Sequence, residues 1–343
     1  MIGKTNAIQS AGVELSIVVS VTTGSTVTAT KGAKTVTGTA ASGSCTLIVP
    51  EAGTWSVTAT LSGQTSNTKN VNVVDSYSVA LSYVSSTLNN NDWDVISEVS
   101  NDGKGDNYWA IGDRKAVTLN GTVGNFTFSN VETYAFIIGF NHNSTYEGSN
   151  RIHFQFAKTA LSGGSDVCFV DSKYNTIVSS TGYFSMNSTN TNVGGWSSSQ
   201  MRSLLGTSLS SYSEKFIGAL PSALRSVLKS VTKYTDNTGN SSTSAANVTA
   251  TTDYLFLLAE YEVFGNISYA NTNESAKQAQ YAYYSAGNSK IKYKHTDTET
   301  AAFWWLRSPD ASYSTYFVRV RTSGSVSSND ADISYGVAPG FCV

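Results

Sequence analysis

The chain has 343 residues, enough for two domains with separate cores, and its 22 Lys plus Arg against 24 Asp plus Glu give a formal charge of -2. No basic field is available to grip nucleic acid or an anionic membrane, and no run of about 18 apolar residues exists that would span one. Charged residues make up 13%, against roughly 25% in an average globular chain, and Ser, Thr, Asn and Gly replace them, as on extracellular β proteins.

Cys45, Cys168 and Cys342 form an odd set without Cys-x-x-Cys or metal-type spacing, so buried thiols are expected and no disulfide framework. Met1-Ile2-Gly3-Lys4 lacks a basic region leading into an apolar core and a small-residue cleavage site, so no secretory signal peptide is expected. An extracellular composition without a signal points to a virion surface or another form of extracellular display.

From residue 12 to 74 the apolar residues alternate. Val13, Leu15, Ile17, Val19 and Val21 are followed by Cys45, Leu47 and Val49, by Trp55, Val57, Ala59 and Leu61, and by Val71 and Val73. Period two predicts half-buried strands. Turn residues at Thr23-Gly24, Lys31-Gly32, Ser42-Gly43, Pro50-Glu51-Ala52-Gly53 and Ser62-Gly63 recur about every 10 residues, the rhythm of a small antiparallel sandwich. This first domain is drawn over residues 1–75.

Near Asp75 aromatic and Asn-rich sequence replaces the Thr/Val ladders, and a second domain is drawn over 76–343. Ser199 stands where an N-cap belongs, ahead of Met201, Leu204 and Leu205, and Gly206 ends the turn, so a short helix is predicted there. Pro221 is placed as a first helical residue before Leu224, Val227, Leu228 and Val231, whose spacing predicts a second. Residues 235–252 carry Val248 as their one large apolar side chain and read as an exposed loop. The run from Asp253 to Phe264 is apolar enough for a central strand. Strands at both ends around two helices make an α+β domain.

The run from Leu47 to Leu61, with Pro-Glu-Ala-Gly-Thr-Trp between two strands, resembles the immunoglobulin-like repeats of phage fibres and bacterial surface proteins. The first domain is thus expected to be an all-β immunoglobulin-like sandwich serving as a spacer. In the second, four stretches carry a resemblance. They are Asp92-Trp93-Asp94-Val95-Ile96 with Tyr108-Trp109-Ala110-Ile111-Gly112-Asp113; Gly194-Gly195-Trp196; Leu220-Pro221 with the 253–264 run; and Phe303-Trp304-Trp305-Leu306-Arg307-Ser308-Pro309 with Tyr335-Gly336-Val337-Ala338-Pro339. With the third of them running from Leu220-Pro221 through Thr232-Lys233, together they resemble the C-type-lectin-like domains related to the formylglycine-generating-enzyme fold. The resemblance implies an α+β C-type-lectin-like fold. That family usually closes on Gly-Val-Arg-Pro-Ala, where this chain has Ala338 and Gly340.

Many such proteins are variable proteins of diversity-generating retroelements, in gut phages and bacteria, whose C-terminal segment is rewritten by adenine-directed mutagenesis of asparagine codons. That process cannot create Lys, Glu, Gln, Met or Trp, and none of these occurs from Leu306 onward. The resemblance therefore implies a variable region over about 306–343 and a hypervariable ligand-binding surface.

Other chemistry finds less footing. Calcium needs six to eight oxygens, and in Asp102-Gly-Lys-Gly-Asp106 a lysine stands where a third ligand would be. His142, His153 and His295 lie too far apart for a sequence-encoded zinc site, and the cysteines are not neighbours as in the formylglycine-generating relatives. A glycoside hydrolase needs two carboxylates across a cleft, whereas Glu260 and Glu262 are assigned to one strand and one face, and Glu147, Asp166 and Asp171 have no distinctive context. Trp304 and Trp305 sit in an apolar run closed by Pro309, which makes at least one of them core. No enzyme, no cofactor and no metal is expected.

The ligand face is placed between the anchors Pro309, Phe317, Val318, Val320, Val326, Ile333 and Val337, at Asp310, Ser312, Tyr313, Ser314, Tyr316, Arg319, Arg321, Ser323, Ser327, Asn329, Asp330, Asp332 and Tyr335. Tyr supplies rigid contact area there, and Ser and Asn supply adaptable hydrogen bonds. Tyr313, Tyr316 and Arg321 are the expected hot spots. The expected partner is a protein or glycan on a host cell surface, and a homo-oligomer is left open. An invariant fibre module is the alternative, and a polysaccharide-degrading enzyme a third.

Overall fold

The computed structural model describes residues 15–73, 76–80, 84–124, 126–170, 184–295 and 297–343. Two compact units divide the chain, 1–85 and 86–343. The division lies beyond residue 75, because the strand at Ser76–Ala80 joins a sheet of the first unit.

Among the described residues the first unit has β1 (Ser16–Ser20), β2 (Thr26–Lys31), β3 (Lys34–Thr39), β4 (Ser44–Ile48), β5 (Gly53–Leu61), β6 (Gln64–Thr65), β7 (Lys69–Val73) and β8 (Ser76–Ala80). One sheet runs β4-β1-β8 and the other β3-β2-β5-β6, with β7 also on β5. Side chains pointing to one face of each strand share a single core: Ile17 and Val19 of β1, Cys45 and Leu47 of β4, Val27 and Ala29 of β2, Trp55, Val57 and Ala59 of β5, and Val71 and Val73 of β7. Alternation thus places the core as expected; Val13 lies outside the described residues. Two features differ. β1 and β8 pair in parallel, and the Thr-rich β2 and β3 are strands that an apolar pattern alone does not reveal, since threonine favours strands through its branched Cβ.

The second unit is also rich in strands. Its helices are short: α1 (Trp93–Asn101), α2 (Gly105–Tyr108), α3 (Ser144–Glu147), α4 (Gln200–Leu205), α5 (Phe216–Ala219), α6 (Ser222–Arg225), α7 (Glu260–Phe264) and α8 (Ala282–Ser285). A five-stranded sheet gathers β9 (Arg114–Val123), β10 (Phe126–Phe140), β11 (Ile152–Lys158), β14 (Leu255–Phe256) and β20 (Gly340–Cys342) in the order β14-β20-β11-β10-β9. β12 (Val231–Asp236) and β13 (Val248–Asp253) form a hairpin, as do β15 (Lys292–Lys294) and β16 (Asp297–Ala302). A three-stranded sheet joins β17 (Trp304–Pro309), β18 (Tyr316–Val320) and β19 (Val326–Asp330). The core is aromatic: Phe154 stacks on Phe341 at 5.2 Å, and Phe156 lies 4.7 Å from Phe169.

α4 forms where the capping pattern predicts it. Ser199 Oγ accepts the Arg202 N–H at 3.1 Å, and Met201, Leu204 and Leu205 are buried. The second predicted helix is cut short. α6 ends at Arg225, because Lys229 N–H donates to the Cys342 carbonyl at 2.9 Å and Val231 opens β12. Residues 235–252 are not one loop: Thr235 and Asp236 are buried in β12, Val248 opens β13, and the connection is 237–247. The 253–264 run is not one strand either. After β14 the chain turns into α7, whose Glu262 carboxylate accepts the Ala259 N–H at 2.9 Å and closes its first turn. α1 was not anticipated, because its buried side includes Ser97 and Ser100 beside Trp93, Val95, Ile96 and Val99, which blurs the apolar period. Trp304 and Trp305 are both fully buried, their indole N–H groups donating to the carbonyls of Lys290 and Phe184.

Candidate ligand face and a buried ionic cluster

β12, β17, α3 and α7 of the second unit converge on a buried polar cluster. Lys233 on β12 donates to Glu147 of α3 at 2.6 Å, to Glu262 of α7 at 3.1 Å and to the Tyr281 hydroxyl at 2.8 Å. Arg307 on β17 forks onto both oxygens of Glu262 at 2.5 and 2.8 Å, and its Nε donates to Thr235 at 2.7 Å. Burial opposes the charge of Glu262, but Arg307 and Lys233 outweigh it and hold its pKa below the carboxylate range. Glu147 shifts the other way, since burial there exceeds the pull of Lys233. Glu274, which accepts from Asp236 N–H, Gln278 and Ser308, is pushed up to about 7 by burial.

His142, Glu147 and Glu262 bring ligand-type atoms within 4.8 Å of one another, and beside them the His142 and His153 rings, distant in sequence, lie 5.5 Å apart between centroids. Three buried ligands with an imidazole suit a zinc-like ion in type. Lys233, however, already holds both carboxylates, and Arg307 neutralises one of them, so the cluster is charge-balanced without a metal. Cys342 Sγ lies 3.3 Å from His153 Nδ1, the spacing of a thiol and its base. The electrostatics run against that use: burial raises the thiol to about 12 and lowers His153 well below its ordinary value, and both residues are fully buried. Glu260 does not share a face with Glu262; it accepts the backbone N–H groups of Ser268, Tyr269 and Ala270. Asp102 and Lys104 pair at 3.1 Å in solvent, and Asp171 lies outside the described residues.

The C-terminal residues assigned to a ligand face divide into three groups. Ser312, Tyr313, Arg321 and Ser323 are exposed, and Tyr313 is 58% exposed with its ring stacked on Tyr316 at 5.0 Å and 27°. Ser314, Tyr316, Asn329, Asp330, Asp332 and Tyr335 are partly buried. Of these, Asp330 accepts from Asn190 at 2.6 Å, and Asn329 donates to the Tyr335 hydroxyl at 2.5 Å. Arg319 is half-buried between the rings of Phe303 and Tyr335, at 4.3 and 4.6 Å.

Asp310 and Ser327 are corrections to the expected face, for both are buried. Asp310 Oδ1 accepts the N–H groups of Ser312 and Tyr313 at 2.7 and 3.1 Å, so it shapes the turn that exposes its neighbours. Ser327 faces Arg319 across the β18–β19 pair and donates to the Ser328 carbonyl. Pairing also splits the set between two faces. Tyr316 and Asp330 pair on one face of the hairpin, and Phe317 and Asn329 on the other. The ends of the 306–343 segment are core: Leu306, Arg307 and Ser308 are buried, as are all residues from 336 to 343.

Asn192 is the residue that composition could not single out. Fully buried, it donates from Nδ2 to the carbonyls of Asp310, Tyr313 and Tyr316 at 3.2, 2.8 and 2.8 Å, and its backbone N–H donates to Ser314 at 2.7 Å. The Tyr pair therefore stands on a fixed loop. The one sequence signal was the following Gly194-Gly195: a Cβ on Gly195 would come 2.1 Å from the Asp236 carbonyl, so only glycine permits that approach.

Residues 166–343 match the model of a family described as Domain of unknown function (DUF6273). No curated protein and no solved structure matches the chain. The matched segment includes Asn192, Lys233, Glu262, Arg307 and the tyrosine pair, and leaves His142, Glu147 and His153 outside it.

Proposed function

The chain belongs to the DUF6273 family, and from that premise we propose that it is a ligand- or receptor-binding display protein, of the phage or prophage adhesion type, and not an enzyme. The observation that carries this reading is the Tyr313–Tyr316 stack, whose Tyr313 is exposed on a loop that buried Asn192 holds in place. Rigid tyrosines offer contact area at small entropic cost, the economy of a paratope. We read the first unit as an immunoglobulin-like spacer, on the strength of its two sheets around Trp55, and the second as C-type-lectin-like.

Diversification by a retroelement fits the exposure pattern only within 311–335, where exposed and half-buried residues alternate with core anchors. A hydrolase reading is weaker, since Glu147, Glu260 and Glu262 are buried and engaged.

The test is flow cytometry of the labelled full chain on panels of bacterial and epithelial cells. The wild type is expected to label at least one cell type, and Tyr313→Ala/Tyr316→Ala/Arg321→Ala to lose most of that signal while melting as the wild type does. Undiminished labelling by the triple variant, or its unfolding, would overturn the reading.

A further inference from the structure

Asn192 ties together more than the C-terminal loop. Its Oδ1 accepts the Asn240 N–H at 2.8 Å, and the Gly194 N–H donates to the Thr238 carbonyl at 2.8 Å. Gly239 fits because a Cβ there would come 2.1 Å from the Asn192 carbonyl. Three segments distant in sequence, 189–193, 238–241 and 311–316, are thereby held side by side. We propose that they form one composite binding face and that its ligand is an uncharged oligosaccharide. This inference rests on the display reading and specifies the ligand class.

Charge is the first argument. The three segments contain no Asp, Glu, Lys or Arg, so a sulfated or phosphorylated ligand would find no counter-ion on them, and the Asp330 carboxylate beside them is engaged by Asn190. Arg319 on β18 is held between Phe303 and Tyr335. The second argument is the distribution of apolar surface. Val193 is 56% exposed and Tyr313 58%, and no other large hydrophobic side chain of these segments is among the exposed ones described. A protein interface needs a buried apolar centre within about 800 Å² per partner, which two isolated side chains do not supply.

What the face does supply matches a sugar. One side of the Tyr313 ring is covered by Tyr316; the exposed remainder is an electron-rich π surface suited to the C–H groups of a pyranose. Around it stand exposed Ser312, Asn240 and Ser241 and the Asn190–Asp330 amide–carboxylate pair. Amides and hydroxyls both donate and accept, as the hydroxyls of a sugar require.

The experiment is an array carrying neutral, sialylated and sulfated oligosaccharides probed with the full chain, followed by calorimetry with the best neutral hit. Binding to neutral glycans is expected. Tyr313→Ala should weaken it by about tenfold or more, as loss of a central aromatic does, whereas Tyr313→Trp should retain it. Asn240→Gly, which keeps the left-handed backbone of that position and lies outside the C-terminal segment, should weaken it by several-fold with unchanged melting. A silent array, hits confined to anionic glycans, or a neutral hit indifferent to both Tyr313→Ala and Asn240→Gly would overturn the proposal. Loss of cell labelling by the triple variant alongside a silent array would leave the display reading standing and remove the glycan alone.

Discussion

Two buried polar assemblies of the second unit do opposite things. Around Glu262, formal charges from β12, β17, α3 and α7 neutralise one another in the core. Around Asn192, one neutral amide directs its hydrogen bonds to the backbone of surface loops, and Ser312, Tyr313, Asn240 and Ser241 on those loops are exposed. The first arrangement fixes which elements pack together; the second fixes how a surface is presented.

The largest way to break this contrast is Arg307→Ala. Glu262 would lose both forked bonds within the core, and removing one partner of a buried pair costs about 3 to 5 kcal/mol. Urea denaturation measures it, and a cost below about 1 kcal/mol would mean that water or a rearranged Lys233 replaces the guanidinium.

pH separates the charged assembly from the neutral one. Burial raises Glu274 from 4.5 to about 7, so its contribution to stability is fully present below 4.5 and is lost as pH rises through 7. Glu274→Gln cannot titrate. The stability of the wild type relative to this variant should therefore fall between pH 4.5 and 7, by on the order of 3 kcal/mol, and stay level outside that window; parallel profiles would refute it. Burial lowers His142 from 6.5 to about 3, with the opposite sense: its contribution is present above 6.5 and is lost as pH falls towards 3. Asn192→Ala carries no such pH dependence.

Asn192→Ala should cost about 2 kcal/mol, since it leaves buried carbonyls without a donor, and should abolish ligand binding although it removes no exposed side chain. A cost under about 0.5 kcal/mol would show that the loops hold their shape unaided. Ser312→Ala, at an exposed position, is expected to change stability by less than about 0.5 kcal/mol; a larger loss would place Ser312 with Asp310 in the turn's interior. The smallest expected effect is that of a chelator, which should leave melting unchanged because Lys233 supplies the positive charge between Glu147 and Glu262. A drop reversed by zinc would place a metal among His142, Glu147 and Glu262.

Local sequence by itself determined β1, β4, β5 and β7 of the first unit, the Ser199-capped helix, and the burial of at least one of Trp304 and Trp305. Each rests on a repeat of two or on a cap three residues long, and neighbours in sequence suffice to state it. Only the tertiary structure decided that Asp310 faces inward while Ser312 faces out, that 253–264 breaks into strand and helix, and that Lys233 sits where a cation would. It also decided that segment 189–193 joins the C-terminal loop. The reason is the same throughout: an apolar residue is buried by its own hydrophobicity, so its place shows in a pattern, whereas a polar residue is buried only by its partner. Asn192 finds Tyr313 and Arg307 finds Glu262 across 121 and 45 residues, distances over which no local repeat carries information.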